Sequence, residues 1–240
     1  EVIGSGPCSP DPSTFSDALA VIDRFGLQAE MPIRVMMHLK SGAQGGVEES
    51  HSPGDPGLNG VHYQIISNNQ DARRAVCEAG ERRGLRVVDL GEILSGEARQ
   101  MGRRLVALAG SLRVSEPILL VAGGETVVRV QGQGRGGRNQ ELALAAALSG
   151  ADQGGVNEVT LVTMGTDGRD GPTPAAGAFA DGETLEKALE EGLDARAMLD
   201  DNDAYGFFSS MGGALVTGPT GTNVMDLVLI MVEAKGAGSD

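Results

Sequence analysis

The stretch that decides the fold runs from Val121 to Leu148 and reads V-A-G-G-E-T-V-V-R-V-Q-G-Q-G-R-G-G-R-N-Q-E-L-A-L-A-A-A-L. It predicts a pair of strands, a glycine-rich loop with two arginines, and then a helix. Glycine loses more backbone entropy on ordering than any other residue, so the loop must gain something from a close approach of its backbone. Phosphate is the natural candidate, because the loop N–H groups and the positive end of the helix dipole would point at one spot. Arg135 and Arg138 would add full charges there.

Two other interpretations of this loop stay open. A chain with 37 glycines can form a glycine-rich hairpin tip that binds nothing. Gly132, Gly134 and Gly137 also satisfy the dinucleotide fingerprint G-x-G-x-x-G between a strand and a helix. The acidic residue that this fingerprint needs about 20 residues further on could only be Asp152, which lies in a D-Q-G-G segment and not at the end of a second strand.

The Walker pattern G-x-x-x-x-G-K-[ST] is absent from the chain. Its three lysines, Lys40, Lys187 and Lys235, all lie outside glycine-rich stretches. Any phosphate charge that this chain neutralises must therefore be met by arginine, a metal ion or the backbone.

Composition limits the function classes. The 240 residues include 33 acidic and 19 basic side chains, and the net charge of −14 disfavours nucleic acid and anionic membrane surfaces as partners. No apolar stretch approaches the roughly 20 residues that span a bilayer. Cys8 and Cys77 have neither metal-ligand nor redox spacing, so we expect a cytoplasmic location. With 3% aromatic residues the core should be aliphatic. The chain opens on Glu1 and not on methionine, so we expect a fragment or a processed product of a longer protein.

The chain divides into two regions by composition. Residues 1–60 contain one helical pattern, Phe15 to Phe25, capped by Ser13 or Thr14, and otherwise loop. The stretch from Ser41 to Gly60 is rich in Gly, Pro and Ser, which is typical of a linker, and we place a domain boundary there.

In residues 61–240 strand and helix patterns alternate, which predicts an α/β fold with a mixed, largely parallel sheet and covering helices. The predicted strands are Tyr63–Ser67, Arg86–Leu90, Ile118–Ala122, its hairpin partner Val127–Val130, Val159–Met164 and Leu227–Val232. The predicted helices are Asp71–Arg83, Gly96–Ala109, Asn139–Leu148, Thr184–Glu191 and Ala195–Met211.

A second polar loop, G-T-D-G-R-D-G-P-T, follows the strand that ends at Met164. Thr166, Asp167 and Asp170 would lie at a carboxyl end of the sheet, where ligands of open α/β sheets gather. Two carboxylates and a hydroxyl could hold Mg²⁺ beside phosphates, although Asp-Gly turns also occur without any function.

Other polar stretches have simpler interpretations. The loop Thr217–Asn223 is a turn with hydroxyl groups, while Asp200–Phe208 and Ser67–Asn69 are predicted helix caps. Arg86, Arg99, Arg103 and Arg104 are interpreted as a solvated basic face. The three histidines, His38, His51 and His62, all fall in or beside the N-terminal region, so the second region cannot build a Ser-His-Asp triad and zinc catalysis is unsupported.

Seven strings in order closely resemble the glycerate 2-kinases of the MOFRL family: V-I-G-S-G-P with P-D-P-S-T-F, S-N-N-Q-D-A, G-G-E-T-V-V-R-V, G-x-G-R-G-G-R-N-Q-E-L-A-L, G-T-D-G-R-D-G-P-T, N-D-A-Y-G-F-F and T-G-P-T-G-T-N-V-M-D. The resemblance covers Val2 to Val232 and begins well inside the family pattern. It implies that residues 1–60 are the tail of a Rossmann-like N-terminal domain with its linker, and that residues 61–240 are the C-terminal MOFRL-type domain.

The resemblance implies transfer of the γ-phosphoryl group of ATP to the 2-hydroxyl of D-glycerate, with Mg²⁺, in a cleft between two domains. The expected partners are D-glycerate and a nucleotide, with a homodimer as an option. Some relatives are named hydroxypyruvate reductase, so an NAD(P)-dependent reductase is the alternative. A third hypothesis is that the chain is a non-enzymatic regulatory or interaction domain, because the family's catalytic lysine belongs to the part that precedes this sequence.

The resemblance also implies roles for individual residues. Arg138 would stabilise the phosphoryl group, because its planar fork suits phosphate oxygens, and Glu125 and Asp167 would complete the catalytic set. Asp167 and Asp170 would hold the metal. The expected cofactor-binding residues are Gly123, Gly124, Thr126, Gly134, Arg135, Gly136, Gly137, Asn139, Thr166, Thr220, Thr222 and Asn223. Pro174 and Ala204 depart from the family pattern, and Pro174 stands where an acid is usual.

Overall fold

The computed structural model describes residue 6 and residues 8–62, 64–152 and 159–234. The chain forms two compact units, Glu1–Ile66 and Ser67–Asp240. The boundary lies six residues beyond the one predicted from composition, since the first unit extends to residue 66.

The first unit contains the helices α1 (Phe15–Arg24) and α2 (Ile33–Ala43) and two short 3₁₀ turns, Leu27–Ala29 and Pro56–Leu58. The predicted cap of α1 is confirmed: Asp17 N donates to Thr14 Oγ1 at 3.2 Å, and Thr14 N donates back to Asp17 Oδ2 at 2.9 Å. Helix α2 was predicted as loop, which is wrong. Its Gly42 lies so close to α1 that a Cβ there would be 2.2 Å from the Phe15 ring.

In the second unit the elements alternate as expected, and six strands form one sheet within the described residues. The strands are β1 (Arg86–Leu94), β2 (Ile118–Gly124), β3 (Val159–Gly165), β4 (Gly177–Ala180), β5 (Ala214–Leu215) and β6 (Asp226–Val232). The helices are α3 (Asn69–Glu81), α4 (Ala98–Ser111), α5 (Arg138–Asp152), α6 (Thr184–Glu190), α7 (Ala195–Asp200) and α8 (Ala204–Ser210).

The mixed α/β sheet is confirmed, but the expectation that it is largely parallel is wrong. The strand order is β1-β2-β6-β3-β4-β5, and only β1 and β2 pair in parallel. The last strand, β6, enters between β2 and β3 and runs antiparallel to both. Strands β2 and β3 therefore share a direction, as the alternation predicted, without being neighbours.

Other differences from the predicted elements have local causes. Strands β4 and β5 were not predicted, because G-A-F-A has no β-branched residue and β5 has only two residues. Residues 64–67 form no strand, and Tyr63 lies outside the described residues. Val127–Val130 makes one bridge, from Val127 to Glu97, and no hairpin. The predicted helix Ala195–Met211 is broken into α7 and α8 at Asn202, whose φ is +58°.

The core is aliphatic, as the composition predicts, apart from the edge-to-face pair Phe207 and Phe208 at 5.1 Å. Helix α5 lies at its centre and is buried along most of its length. Helix α4 crosses it closely at Gly102, where a Cβ would be 2.3 Å from the Leu142 carbonyl oxygen. This tight crossing fixes the start of α5 relative to the sheet. Within the described part of the chain, no helix combines the length and the apolar character that crossing a membrane requires.

Candidate functional site

The candidate site lies at one end of the sheet, where four strands finish or begin in register. Leu94 at the end of β1 pairs with Gly124 of β2, Gly124 pairs with Asp226 at the start of β6, and Asp226 pairs with Gly165 of β3. The two neighbours of Asp226 across the sheet are thus both glycines. The side chain of Arg138 reaches the carboxylate of Asp226 from the start of α5.

Arg138 is the central cation of the site. Its Nε donates to Asp226 Oδ2 at 2.6 Å and its Nη2 donates to Asp226 Oδ1 at 2.9 Å, a bidentate pair. Its Nη1 lies 3.0 Å from Glu125 Oε1. The Asp226 side chain is 2% exposed, that of Arg138 is 32% exposed and that of Glu125 is 51% exposed. The hydrogen bonds that Arg138 donates to Asp226 raise the pKa of Arg138 and outweigh the opposing effect of burial, so the guanidinium stays charged.

Asn69 anchors the strand start that carries Asp226. Its Nδ2 donates to the carbonyl oxygens of Val224 and Asp226 at 2.8 and 3.0 Å, and its Oδ1 accepts from Arg73 Nη1 at 2.7 Å. A Cβ on Gly123 would lie 1.9 Å from Asn69 Oδ1, so glycine is required at 123 by this packing. The predicted cap of α3 is formed by the preceding residue, Asn68, which makes a capping box.

Asp167 lies near the start of β6. A Cβ on Gly165 would be 2.5 Å from the Arg169 carbonyl oxygen, 3.1 Å from Asp167 Oδ1 and 3.6 Å from Asp226 Oδ1, so both carboxylates lie close to this glycine. Asp167 Oδ1 also accepts from Arg169 N at 2.9 Å, which holds the side chain over its own turn. Arg138, Glu125 and Asp167 thus lie at the same end of the sheet, and their catalytic roles stay a prediction.

Thr166 and Thr220 join the loop after β3 to the loop before β6. Thr166 Oγ1 donates to the Met225 carbonyl at 2.7 Å and accepts from Val224 N at 2.8 Å. Thr220 Oγ1 donates to the Thr166 carbonyl at 2.5 Å. Both hydroxyl groups, expected to bind a cofactor, thus hold this turn together. The turn is strained at Met225, whose φ is +67°.

The remaining predicted residues of these loops differ in exposure. Thr222 and Asn223 are exposed beside the site, and Asn223 Oδ1 accepts from Met225 N at 3.1 Å. Thr126 is 3% exposed. Gly124 has a φ of +127°, and a Cβ there would be 2.4 Å from the Leu94 carbonyl oxygen.

The glycine-rich loop does not present its first N–H groups to a ligand. The backbone N–H groups from Gln131 to Arg135 donate to the segment Asp201–Asp203, which connects α7 to α8. Gln131 N and Gly132 N bond Asn202 Oδ1 (2.8 and 2.9 Å), Gln133 N bonds Asp201 Oδ1 (2.8 Å), Gly134 N bonds the Asp201 carbonyl (2.9 Å) and Arg135 N bonds Asp203 Oδ1 (3.0 Å). The prediction that these N–H groups, including that of Gly134, form a phosphate cradle is therefore wrong.

The glycines of this loop are explained by close packing. A Cβ on Gly132 would lie 2.2 Å from the Asp201 carbonyl oxygen, and one on Gly134 would lie 2.4 Å from Asp203 Cβ. At Gly136 the nearest atom, the Asn202 carbonyl oxygen, is 3.1 Å away. The exposed Arg135 side chain stacks on the Tyr205 ring, with Cζ 5.2 Å from the ring centre.

The N-terminus of α5 is occupied by Asp170. Its Oδ1 accepts from Asn139 N (3.0 Å) and Nδ2 (3.3 Å), and its Oδ2 accepts from Gln140 N and Nε2 (both 2.8 Å). The side chain is buried, which raises the pKa of Asp170 against the lowering effect of these hydrogen bonds. Both carboxylate oxygens thus serve as a helix cap. In this structure Asp170, predicted as a metal ligand, and Asn139, predicted to bind a cofactor, are hydrogen-bonded to each other. Gly137 lies against the same carboxylate, since a Cβ there would be 2.4 Å from Asp170 Cγ.

A buried ion pair fixes the segment on which the loop rests. Glu141 Oε1 accepts from Arg99 Nε at 2.7 Å, and Glu141 Oε2 accepts from Asn202 Nδ2 at 2.8 Å. Arg99 Nη2 donates to the Leu199 carbonyl at 2.6 Å. The interpretation of Arg99 as part of a solvated basic face is therefore wrong. The predicted cap at Asp203 is confirmed, because Gly206 N donates to its Oδ1 at 3.3 Å.

The sequence reasoning missed Asp226 and Asn69 as site residues. The available signal was an acid at the start of the last strand, directly after the string T-N-V-M. An ionised side chain at a position destined for burial needs a partner. Within the described residues, no group of three or more His, Cys, Asp and Glu side chains forms a metal-binding cluster.

Comparison with known proteins adds to this geometry. Residues 118–226 match the MOFRL family, and residues 1–40 match a family described as a domain of unknown function (DUF4147). The chain is 36% identical to the glycerate 2-kinase of Pyrococcus horikoshii over 98% of its own length and 53% of that protein. It is 34% identical to the glycerate kinase of Macaca fascicularis over 98% of its own length and 69% of that protein.

A relative from Agrobacterium vitis with the name putative hydroxypyruvate reductase is 35% identical over 96% of this chain and 51% of that protein. The solved structure of the glycerate kinase from Thermotoga maritima is 36% identical and superimposes with a TM-score of 0.75, covering 96% of this chain and 53% of that one. The chain thus spans about half the length of most of these relatives.

Proposed function

Since this chain belongs to the glycerate kinase family, whose MOFRL domain it carries, we propose that the protein transfers the γ-phosphoryl group of ATP to the 2-hydroxyl of D-glycerate and yields 2-phosphoglycerate. Because the chain spans about half the length of its relatives, the proposal concerns the protein that contains this chain. The observation that carries it is the partly exposed, charged guanidinium of Arg138, which pairs with the carboxylates of Asp226 and Glu125.

The charge of this site supports a requirement for Mg²⁺. Arg138 is already paired with the carboxylates of Glu125 and Asp226, and the charge of Asp170 acts on it as well, so a polyphosphate alone would be repelled. Carboxylate oxygens with access to water are the donors that Mg²⁺ prefers, and Glu125 and Asp167 are the accessible ones. We propose these two residues as the metal-holding groups, in place of the pair Asp167 and Asp170. When bound, Mg²⁺ would neutralise charge on the phosphate oxygens.

The chain's own residues would then act mainly by positioning and by charge. Phosphoryl transfer needs little covalent help from the protein, and an arginine beside the transferred group stabilises charge on its oxygens. Arg138 would supply that charge from the Nη1 side, which faces Glu125. Thr222 and Asn223, which are exposed beside the site, stay proposed contacts for the nucleotide or glycerate, as do Arg135 and Gly136 on the rim of the loop.

The reductase alternative has less support. Its fingerprint would place a pyrophosphate on the N–H groups of the glycine-rich loop, which are bonded to Asp201–Asp203. Asp152, the expected ribose acid, forms an ion pair with Arg196. We also propose a cytoplasmic location, because Cys8 and Cys77 are free thiols. The homodimer stays a prediction.

The test is phosphorus NMR of ATP, Mg²⁺ and D-glycerate with the intact gene product, with the 240-residue chain run beside it. We expect the 2-phosphoglycerate resonance, and an Arg138→Ala variant should lower kcat by about 10³-fold or more. Arg196→Ala is the matched control, because Arg196 pairs with Asp152 on the surface. Unchanged turnover in Arg138→Ala would remove Arg138 from the mechanism. Oxidation of NADH by hydroxypyruvate without phosphoryl transfer would establish the reductase instead.

A further inference from the structure

The guanidinium group of Arg138 has two edges that can each bind an oxyanion through two parallel N–H groups. The side edge, formed by Nε and Nη2, is filled by the two oxygens of Asp226. The end edge is formed by Nη1 and the second hydrogen of Nη2, and Nη1 forms an ion pair with Glu125 Oε1 at 3.0 Å. With the side edge filled, the end edge is the one that can still bind a ligand oxyanion through two N–H groups.

Asp226 is held much more firmly than Glu125. Its side chain is 2% exposed, whereas that of Glu125 is 51% exposed. Its backbone carbonyl accepts from Asn69 Nδ2 at 3.0 Å, and the preceding Met225 carbonyl accepts from both the N–H and the hydroxyl of Thr166. The carboxylate of Asp226 thus has one position, fixed by the register of β6 between two neighbouring strands.

We propose that Asp226 is the positioning residue of this site, which holds the side edge of Arg138 so that its end edge is presented to the transferred phosphoryl group or to the glycerate carboxylate. The proposal rests on the proposed kinase function and names a residue that acts through Arg138. The single contact from Glu125 is then the replaceable one, because the side chain is exposed and meets one nitrogen only. The incoming oxyanion takes the place of Glu125 Oε1 at the end edge.

The first test is chemical rescue in the intact protein. Arg138→Ala leaves Asp226 facing a guanidinium-sized space, so guanidinium chloride at millimolar concentrations should restore turnover in that variant. In the double variant Arg138→Ala with Asp226→Asn, rescue should be at least about tenfold weaker, because the neutral amide no longer holds the cation. Equal rescue in both variants would overturn the proposal.

The second test uses Asp226→Asn alone. Misplacement of a reacting group by about 1 Å can cost about 100-fold in rate, so kcat should fall by that order while KM for Mg-ATP changes less than about threefold. Asp152→Asn is the matched control, because it removes an aspartate from an exposed Asp–Arg pair. An unchanged kcat in Asp226→Asn would overturn the proposal. Failure of the wild type to make 2-phosphoglycerate would instead overturn the proposed function.

A third measurement does not depend on enzymatic activity, and its main result comes from the wild-type protein. The Nε–Hε group of Arg138 should give a proton–nitrogen NMR signal that exchanges slowly with water, identified by its loss in Arg138→Ala, because its hydrogen is bonded to the buried Asp226. Where Asp226→Asn folds, this signal should exchange at least about tenfold faster. Rapid exchange in the wild type would overturn the proposal.

Discussion

Replacement of Gly132 by alanine tests the finding that the glycine-rich loop is shaped by Asp201–Asp203 and not by phosphate. The new Cβ would lie 2.2 Å from the Asp201 carbonyl oxygen and 2.4 Å from its Cα, more than 1 Å inside an ordinary contact. Relief of this clash requires Asp201 to move, which weakens its bonds to Gln133 N and Gly134 N.

The magnitude follows from these contacts. Overpacking costs about 1–3 kcal/mol, and each weakened hydrogen bond adds about 1 kcal/mol. Alanine also lowers the conformational entropy of the unfolded chain, which raises the free energy of unfolding by about 0.4–1 kcal/mol. We therefore expect Gly132→Ala to lower the free energy of unfolding by about 2–4 kcal/mol, measured by urea denaturation followed by circular dichroism.

Gly136→Ala is the matched control in the same loop. Its Cβ would lie 3.1 Å from the Asn202 carbonyl oxygen, a contact that a small shift can relieve. The free energy of unfolding should change by less than about 1 kcal/mol. If Gly132→Ala were as stable as the wild type and lost only the binding of Mg-ATP, the loop would serve the nucleotide and our packing argument would be refuted.

Two further predictions concern ionisable groups. Asn202→Asp would place a carboxylate about 2.8 Å from Glu141 Oε2, which should lower the free energy of unfolding by about 3 kcal/mol at neutral pH. Since the paired acids bind a proton in the folded state, the free energy of unfolding should recover as the pH falls. A loss of stability that does not depend on pH would contradict this reasoning. In the first unit, the hydrogen bond and charge of Asp55 raise the pKa of His51, so this pair stabilises the fold fully below the ordinary histidine value and loses its effect as the pH rises through the folded pKa. Asp55→Asn should lower the NMR titration midpoint of His51, and an unchanged midpoint would show that the pair does not form in solution.

The features that were predictable from the sequence are encoded locally. Thr14 and Asn68 each have an aspartate three residues later, and both form the capping boxes that such spacing allows. The strand order is not local, since β6 pairs with β2 and β3 through a register that no short segment contains. The alternation of strands and helices therefore gave the elements but overstated how much of the sheet is parallel.

The same distinction applies to the candidate site. Arg138 and Asp167 could be named because each adjoins a recognisable helix or strand, whereas Glu125 was named through the family resemblance. Asp226 could not, because it is 88 residues from Arg138 and its role appears only when β6 enters the sheet. Asp170 was misassigned for the converse reason. Its place beside Asp167 and Thr166 after a strand suggested metal binding, but the fold brings it to the N-terminus of α5, 30 residues away in the sequence.

A single physical theme explains the corrections in this region. The groups expected to attract phosphate are met by polar groups of the chain itself: the N-terminus of α5 by Asp170, the loop N–H groups by side chains and one carbonyl of Asp201–Asp203, and Arg138 by Asp226. Each pairing satisfies a donor or a charge within the chain. What stays accessible is one edge of Arg138 between acidic side chains. Under the proposed function, a nucleotide bound there would need a cation to offset these negative charges.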